Sequence, residues 1–219
     1  MLFDLRGRRR RAVQATYLIL ALLMGGGLVL FGIGGSVSGG LVDAFKGNSG
    51  GSGNDLVDER IDRNEDRVQA NPANVAALKE LVRDHYQLAT ADLDTTTGAF
   101  SDEDKDHLRD AARYWKHYVE AAKGTPDPSL ATVAFQIYSP DALNRPKEAS
   151  KAMTLIAASS NDVQSYLQLV QTATLADDER TADLAAQKAE DLAPKRAKKQ
   201  VKRQAAQLKK AAEQQQAAG

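Results

Sequence analysis

No cysteine occurs among the 219 residues. That excludes a disulfide framework, a thiol nucleophile and zinc-finger-type sites. It leaves the compartment open, because exported proteins also manage without cysteine. Aromatic residues make up only 5% of the chain. A sheet draws on Val, Ile, Tyr and Phe, so this poverty, beside abundant alanine, favours thin cores between close-packed helices. The 3 histidines, His85, His107 and His117, show no H-E-x-x-H or other ligand spacing. Also missing are a phosphate-cradling G-x-x-x-x-G-K-[ST], a dinucleotide G-x-G-x-x-G in a βαβ setting, and a G-x-S-x-G elbow. Asp102, Asp104 and Asp106 open like a calcium loop. His107 and Arg113 then stand where that loop needs glycine and glutamate. Acids in a helix's first turn complement its dipole, which accounts for them. No catalytic, cofactor-binding or metal-binding residue is assigned, and the chain reads as a non-enzyme without a cofactor.

Net charge is also lacking, but the zero is a sum of unlike parts. Residues 1–11 hold five Arg and one Asp, residues 12–194 hold 16 Lys+Arg against 27 Asp+Glu, and residues 195–219 hold eight Lys+Arg against one Glu. An acidic body therefore lies between two basic ends.

Residues 12–42 carry no charge at all. About 20 apolar residues suffice to cross the hydrocarbon core, so a transmembrane helix is expected over 12–37. Tyr17, Leu18, Leu20, Leu22, Leu23, Leu28, Leu30 and Phe31 would form the membrane anchor. Arg6, Arg8, Arg9, Arg10 and Arg11 precede the run, whereas the first cation after it is Lys46. Cations stay in the cytoplasm, so residues 1–11 are expected inside and residues 46–219 outside the cytoplasmic membrane. A cleaved signal peptide would share the basic start, but its apolar core is about 7–15 residues long and ends in an A-x-A-like site. Gly35 and Gly39 form a GxxxG, a spacing that can bring helices together and is also common in membrane spans generally.

Residues 38–54, Gly- and Ser-rich, read as a flexible linker. Leu56, Val57, Ile61 and Val68 then recur at helical spacing among charges, and Asn71-Pro72 ends that helix. Beyond it the chain repeats a pattern. In Val163–Pro194, Tyr166, Leu169, Val170 and Ala173 share one helical face, a turn follows at Ala176–Glu179, and Ala182, Ala186 and Ala189 form the small face of a second helix. Leu78, Leu81, Val82 and His85 repeat the first face, with Ala111, Trp115 and Tyr118 on its partner. Ser101 and Asp104 look like a capping box opening that partner. A third, less regular unit places Ala134, Ile137 and Tyr138 before Ala149, Ala152, Met153 and Ile156.

These spacings resemble the tetratricopeptide repeat of membrane-anchored bacterial proteins. In that pattern a bulky residue is followed by Leu, a small residue and an aromatic at offsets of three, four and seven. Helix B of the pattern carries small, bulky and small residues, here Ala182, Ala186 and Ala189, and a proline follows, here Pro194. Val170, Ala173 and Ala186 depart from the commonest residues at their positions. The resemblance covers 55–194 and implies an all-α solenoid of antiparallel helix pairs, since such pairs bury their apolar faces only by stacking. It also implies a groove for protein partners, with Tyr86, Tyr114 and Tyr138 as its candidate residues, in an accessory of secretion, envelope assembly or protein quality control.

Ala197, Val201, Ala205, Leu208 and Ala212 share one face of the basic segment 195–213, which is expected to form a capping helix. That face has no Trp or Phe for membrane insertion. Residues 214–219 are expected to be disordered. The partners expected are other proteins and, through one span, the lipid bilayer, without nucleic acid. The alternative is a self-assembling envelope component, a homo-oligomer without a separate client.

Overall fold

The computed structural model describes residues 52–91, 93, 99–124 and 126–218. The expected N-terminal basic segment, the transmembrane helix and most of the linker lie outside these. No helix among the described residues is long and apolar enough to cross a membrane.

The described residues form eight helices and no strand. In chain order they are α1 (Ser52–Ala70), α2 (Val75–Ala91), α3 (Asp102–Ala121), α4 (Pro128–Ile137), α5 (Pro146–Ser160), α6 (Val163–Leu175), α7 (Glu179–Leu192) and α8 (Lys198–Ala218). The all-α expectation from few aromatics and 3.6-residue periodicity therefore holds for the described residues.

Local chemistry sets the helix ends. The Ser101 hydroxyl accepts from the Asp104 N–H, and the Asp104 carboxylate accepts from the Ser101 N–H, completing a capping box at α3. Asp127, Asp162 and Asp178 cap α4, α6 and α7, each accepting from the backbone N–H and hydroxyl of a following Ser or Thr. Pro128 and Pro146 stand in the first turns of α4 and α5, where a missing N–H costs nothing. Asn161, in the left-handed region at φ 47°, closes α5, a conformation Asn tolerates better than most residues.

The helices pack mainly as neighbours in sequence: α1 on α2, α2 on α3, α4 on α5, α5 on α6 and α6 on α7. Helix α4 also touches both α2 and α3, and α8 folds onto both α6 and α7. Two apolar clusters result. The first runs from Val57 and Ile61 of α1 through Leu78, Leu81, Val82, Leu108, Trp115 and Leu130 to Ala149 and Ala152. The second joins Met153, Leu167, Leu169 and Val170 to an alanine-rich set, Ala173, Ala182, Ala185 and Ala189, and to Val201 and Ala205 of α8. Phe135 and Ile156, partly buried, pack against both. Alanine buries little area, so this second cluster relies on close backbone approach and dense contact more than on transfer free energy.

Helix α8 runs to Ala218, so residues 214–218 are helical and not the disordered tail expected. The reason is a terminal clamp. The Gln216 side-chain N–H group donates to the backbone carbonyls of Thr174 and Leu175, both at 3.0 Å. These are carbonyls of the last turn of α6, which have no partner within their own helix. The start of the first helix at Ser52 likewise takes the last residues of the expected linker into α1.

Candidate docking cleft

Arg109, Ala112, Arg113, Lys116 and Glu120 recur at three- and four-residue spacing along α3 and so share one face. Glu148, Lys151, Ala152 and Leu155 do the same along α5. The backbones of α3 and α5 stay apart, while α4 packs against both. Between the two stripes lies a cleft of about 650 Å³, lined also by Trp115, Val119, Tyr138 and Arg145.

Its floor is apolar and fixed. Ala112, Trp115, Tyr138 and Ala152 are all buried. Trp115 packs against Tyr118 with ring centroids 5.5 Å apart, and the Tyr118 hydroxyl accepts from the Asp127 N–H at 2.8 Å. The Tyr138 hydroxyl donates to the Ala112 carbonyl at 3.3 Å. Burial, reinforced by Glu148, pushes the Tyr138 phenol up to about 12, so it stays protonated.

The rim is basic. Residues 52–194 carry 15 Lys+Arg against 26 Asp+Glu, yet five of those cations, Arg109, Arg113, Lys116, Arg145 and Lys151, gather around this one cleft beside two anions, Glu120 and Glu148. Arg109 and Arg113 pair with Asp106 and Asp110 on their own helix. Lys116, Arg145 and Lys151 take part in no ion pair among the described residues. The cleft is thus a basic island with an aromatic floor on the acidic body of residues 52–194. Chemically it suits an anionic partner that also brings an apolar side chain.

The three tyrosines singled out from the sequence do not meet. Only Tyr138 lines the cleft. Tyr86 donates to the Gln136 amide oxygen at 2.6 Å, joining α2 to α4. Tyr114 lies outside the cleft but against its rim residue Arg113, whose guanidinium sits 4.8 Å over the ring, in an acidic hollow of about 460 Å³ with Asp62, Glu65, Asp66, Val68 and Gln69. There its hydroxyl donates to Glu65 at 2.5 Å, and its ring stacks on His85 at 5.5 Å. Burial raises the pKa of both Tyr86 and Tyr114, with the Glu65 carboxylate adding to the rise at Tyr114.

Sequence reading missed the rim because isolated cations on helices usually mean a solvated face. The available signal was the i, i+4, i+7 recurrence of cations on α3, at Arg109, Arg113 and Lys116, and a matching Lys151 on α5, which only the tertiary packing brings together. No group of three His, Cys, Asp or Glu placed to hold a metal ion exists among the described residues. The chain matches no protein-family model, no curated protein and no solved structure.

Proposed function

We propose that this chain is a membrane-anchored protein–protein interaction module without enzymatic activity. In this reading the uncharged run at 12–42 anchors it in the cytoplasmic membrane, the arginines at 6 and 8–11 keep the N-terminus inside, and the helical domain stands outside as an adaptor. Its helix pairs form a tetratricopeptide-like solenoid, a reading supported by the recurring faces of α2/α3, α4/α5 and α6/α7 and by the pairing of those helices.

The observation that carries the docking role is the cleft between α3 and α5. An immobilised aromatic floor under uncommitted cations has the anatomy of an interface centre with a polar rim. The acidic balance of the rest of 52–194 disfavours anionic ligands there, so within that body the basic island selects where such a partner settles, with the basic α8 as the domain's other cationic surface.

A photo-crosslinking side chain at Val119, on the cleft edge, in the full-length protein in its native membranes tests this. The expected result is a discrete set of adducts that disappears when Arg145→Glu and Lys151→Glu are introduced together. Adducts unchanged by this reversal, or none at all, would overturn the docking role.

A further inference from the structure

The acidic helix α1 is as uncommitted as the cleft. All three of its cations are engaged within the domain. Arg60 pairs with Asp84 at 2.5 Å, Arg63 with Glu59 at 3.6 Å, and Arg67 donates to Asn64 at 3.2 Å. Asp55, Asp58, Asp62 and Asp66, at i, i+3, i+7 and i+11, form one exposed stripe. None of the four joins an ion pair among the described residues. On the flank of the helix, about a quarter-turn from the stripe, Leu56 is 59% exposed, in contrast to Val57, which is 1% exposed.

Two other large apolar side chains stand out in the described residues, Leu184 at 58% and Val119 at 37% exposure. Val119 belongs to the cleft itself. Leu184 lies on α7 with Arg180 and Lys188 one turn away on either side, and cations there would meet a rim already rich in cations. Leu56 has Glu59 and the Asp84-paired Arg60 one turn on, with the aspartate stripe about a quarter-turn round the helix. Charge and apolar content therefore single out α1 as the surface of this chain that fits the cleft.

Resting on the reading of that cleft as a docking site, we propose that its occupant is the α1 helix of a second copy of this chain. The aspartate stripe faces Lys116, Arg145 and Lys151, and Leu56 reaches the apolar floor around Trp115. Donor and acceptor surfaces are different patches of the same molecule. The contact is heterologous, and each docked copy leaves one free cleft and one free α1, so it propagates into chains or closes into rings. Within a membrane, where anchored copies share a plane and are locally concentrated, even a modest contact of this kind has a large effect.

Complementary charge reversal on the full-length protein in neutral detergent micelles tests it. Sedimentation gives the size, and emission of the single tryptophan, Trp115, reports on the cleft. The wild type is expected to associate with rising concentration, to dissociate with added salt, and to shift its Trp115 emission as it does so. Reversing the cleft (Arg145→Glu with Lys151→Glu) or the helix (Asp58→Lys with Asp62→Lys) is expected to weaken association by about tenfold or more. Mixing the two reversed proteins is expected to restore it, because each then offers the other a matched pair. A strictly monomeric wild type, association indifferent to either reversal, or a mixture that stays dissociated would each overturn the proposal. The Val119 crosslink separates the two readings. An adduct to a different protein, lost on cleft reversal, keeps the docking role while the second copy falls. An adduct of twice the chain mass supports both.

Discussion

His85 shows how one side chain reports on its surroundings. It is buried on α2, its Nδ1 lies 3.3 Å from Nδ1 of His107, and its Nε2 has no hydrogen-bond partner. The least costly arrangement makes Nδ1–H of His85 the donor and leaves a bare lone pair at Nε2, since an unpaired buried donor costs more than an unpaired acceptor. Burial holds its pKa below the ordinary 6.5, with Asp110 and Glu65 opposing the shift and His107 and Arg113 adding to it. The unfolded chain takes up that proton at higher pH than the folded one, so this residue's contribution is complete above about pH 6.5 and drains away on acidification. Thermal melts of the full-length protein, followed by helical circular dichroism at pH 7.5 and 5.5, are expected to show a larger drop in Tm for the wild type than for His85→Leu. Equal drops would show that His85 does not titrate in this way. The inward position of His85 was legible in the sequence, because it stands seven residues after Leu78 on an apolar face. Its partner was not, since 22 residues separate the two histidines and periodicity within one helix says nothing about contacts across two.

At the level of elements, α1 is held by more than its apolar face. Arg60 donates through Nε and Nη2 to Asp84, whose side chain is only 3% exposed. Removing one partner of such a pair strands a buried charge. Arg60→Ala is therefore expected to destabilise the domain by about 2–3 kcal/mol, and Arg60→Ala with Asp84→Leu by clearly less than that. Denaturant titration of both variants checks this, and a double variant as weak as the single one would refute it. A second tie runs between α2 and α4. Lys79 lies 2.6 Å from Asp127, and its hydrogen bond, with Ser129, holds the Asp127 carboxyl down to about 2. The same carboxylate caps α4, so one residue both starts a helix and fastens it to its neighbour. The caps were readable locally, as with Ser101 and Asp104. The ties between helices were not, because Arg60 and Asp84 each look like ordinary charged residues on a solvated face.

For the described domain as a whole, the two apolar clusters meet chiefly at Phe135 and Ile156. Stacked helical hairpins unfold together only while the coupling between neighbours outweighs their differences in intrinsic stability. Phe135→Ala should cost about 1–3 kcal/mol and, more tellingly, separate one cooperative denaturant transition into two. The check is whether Trp115 fluorescence, which reports on the first cluster, and helical circular dichroism still coincide. Coincident curves in the variant would mean that coupling runs elsewhere. The periodic faces of α2, α3, α6 and α7 made the helical architecture visible in the sequence, since burial of Leu78, Leu81, Leu169, Val170 and Ala182 follows directly from spacing. The cleft was invisible, because it depends on α3 and α5 being held apart by α4, and no local pattern encodes a gap.

The Gln216 clamp carries a practical corollary. The Gln216 amide partners the Leu175 carbonyl at the end of α6 and shares the Thr174 carbonyl with the Asp177 N–H, so shortened expression variants that stop at Glu213 would reopen the Leu175 carbonyl to solvent and loosen the return of α8. Expression variants therefore keep residues 214–218, and removal of those residues is expected to register as lost protection at the far end of α6 well before the rest of the domain responds.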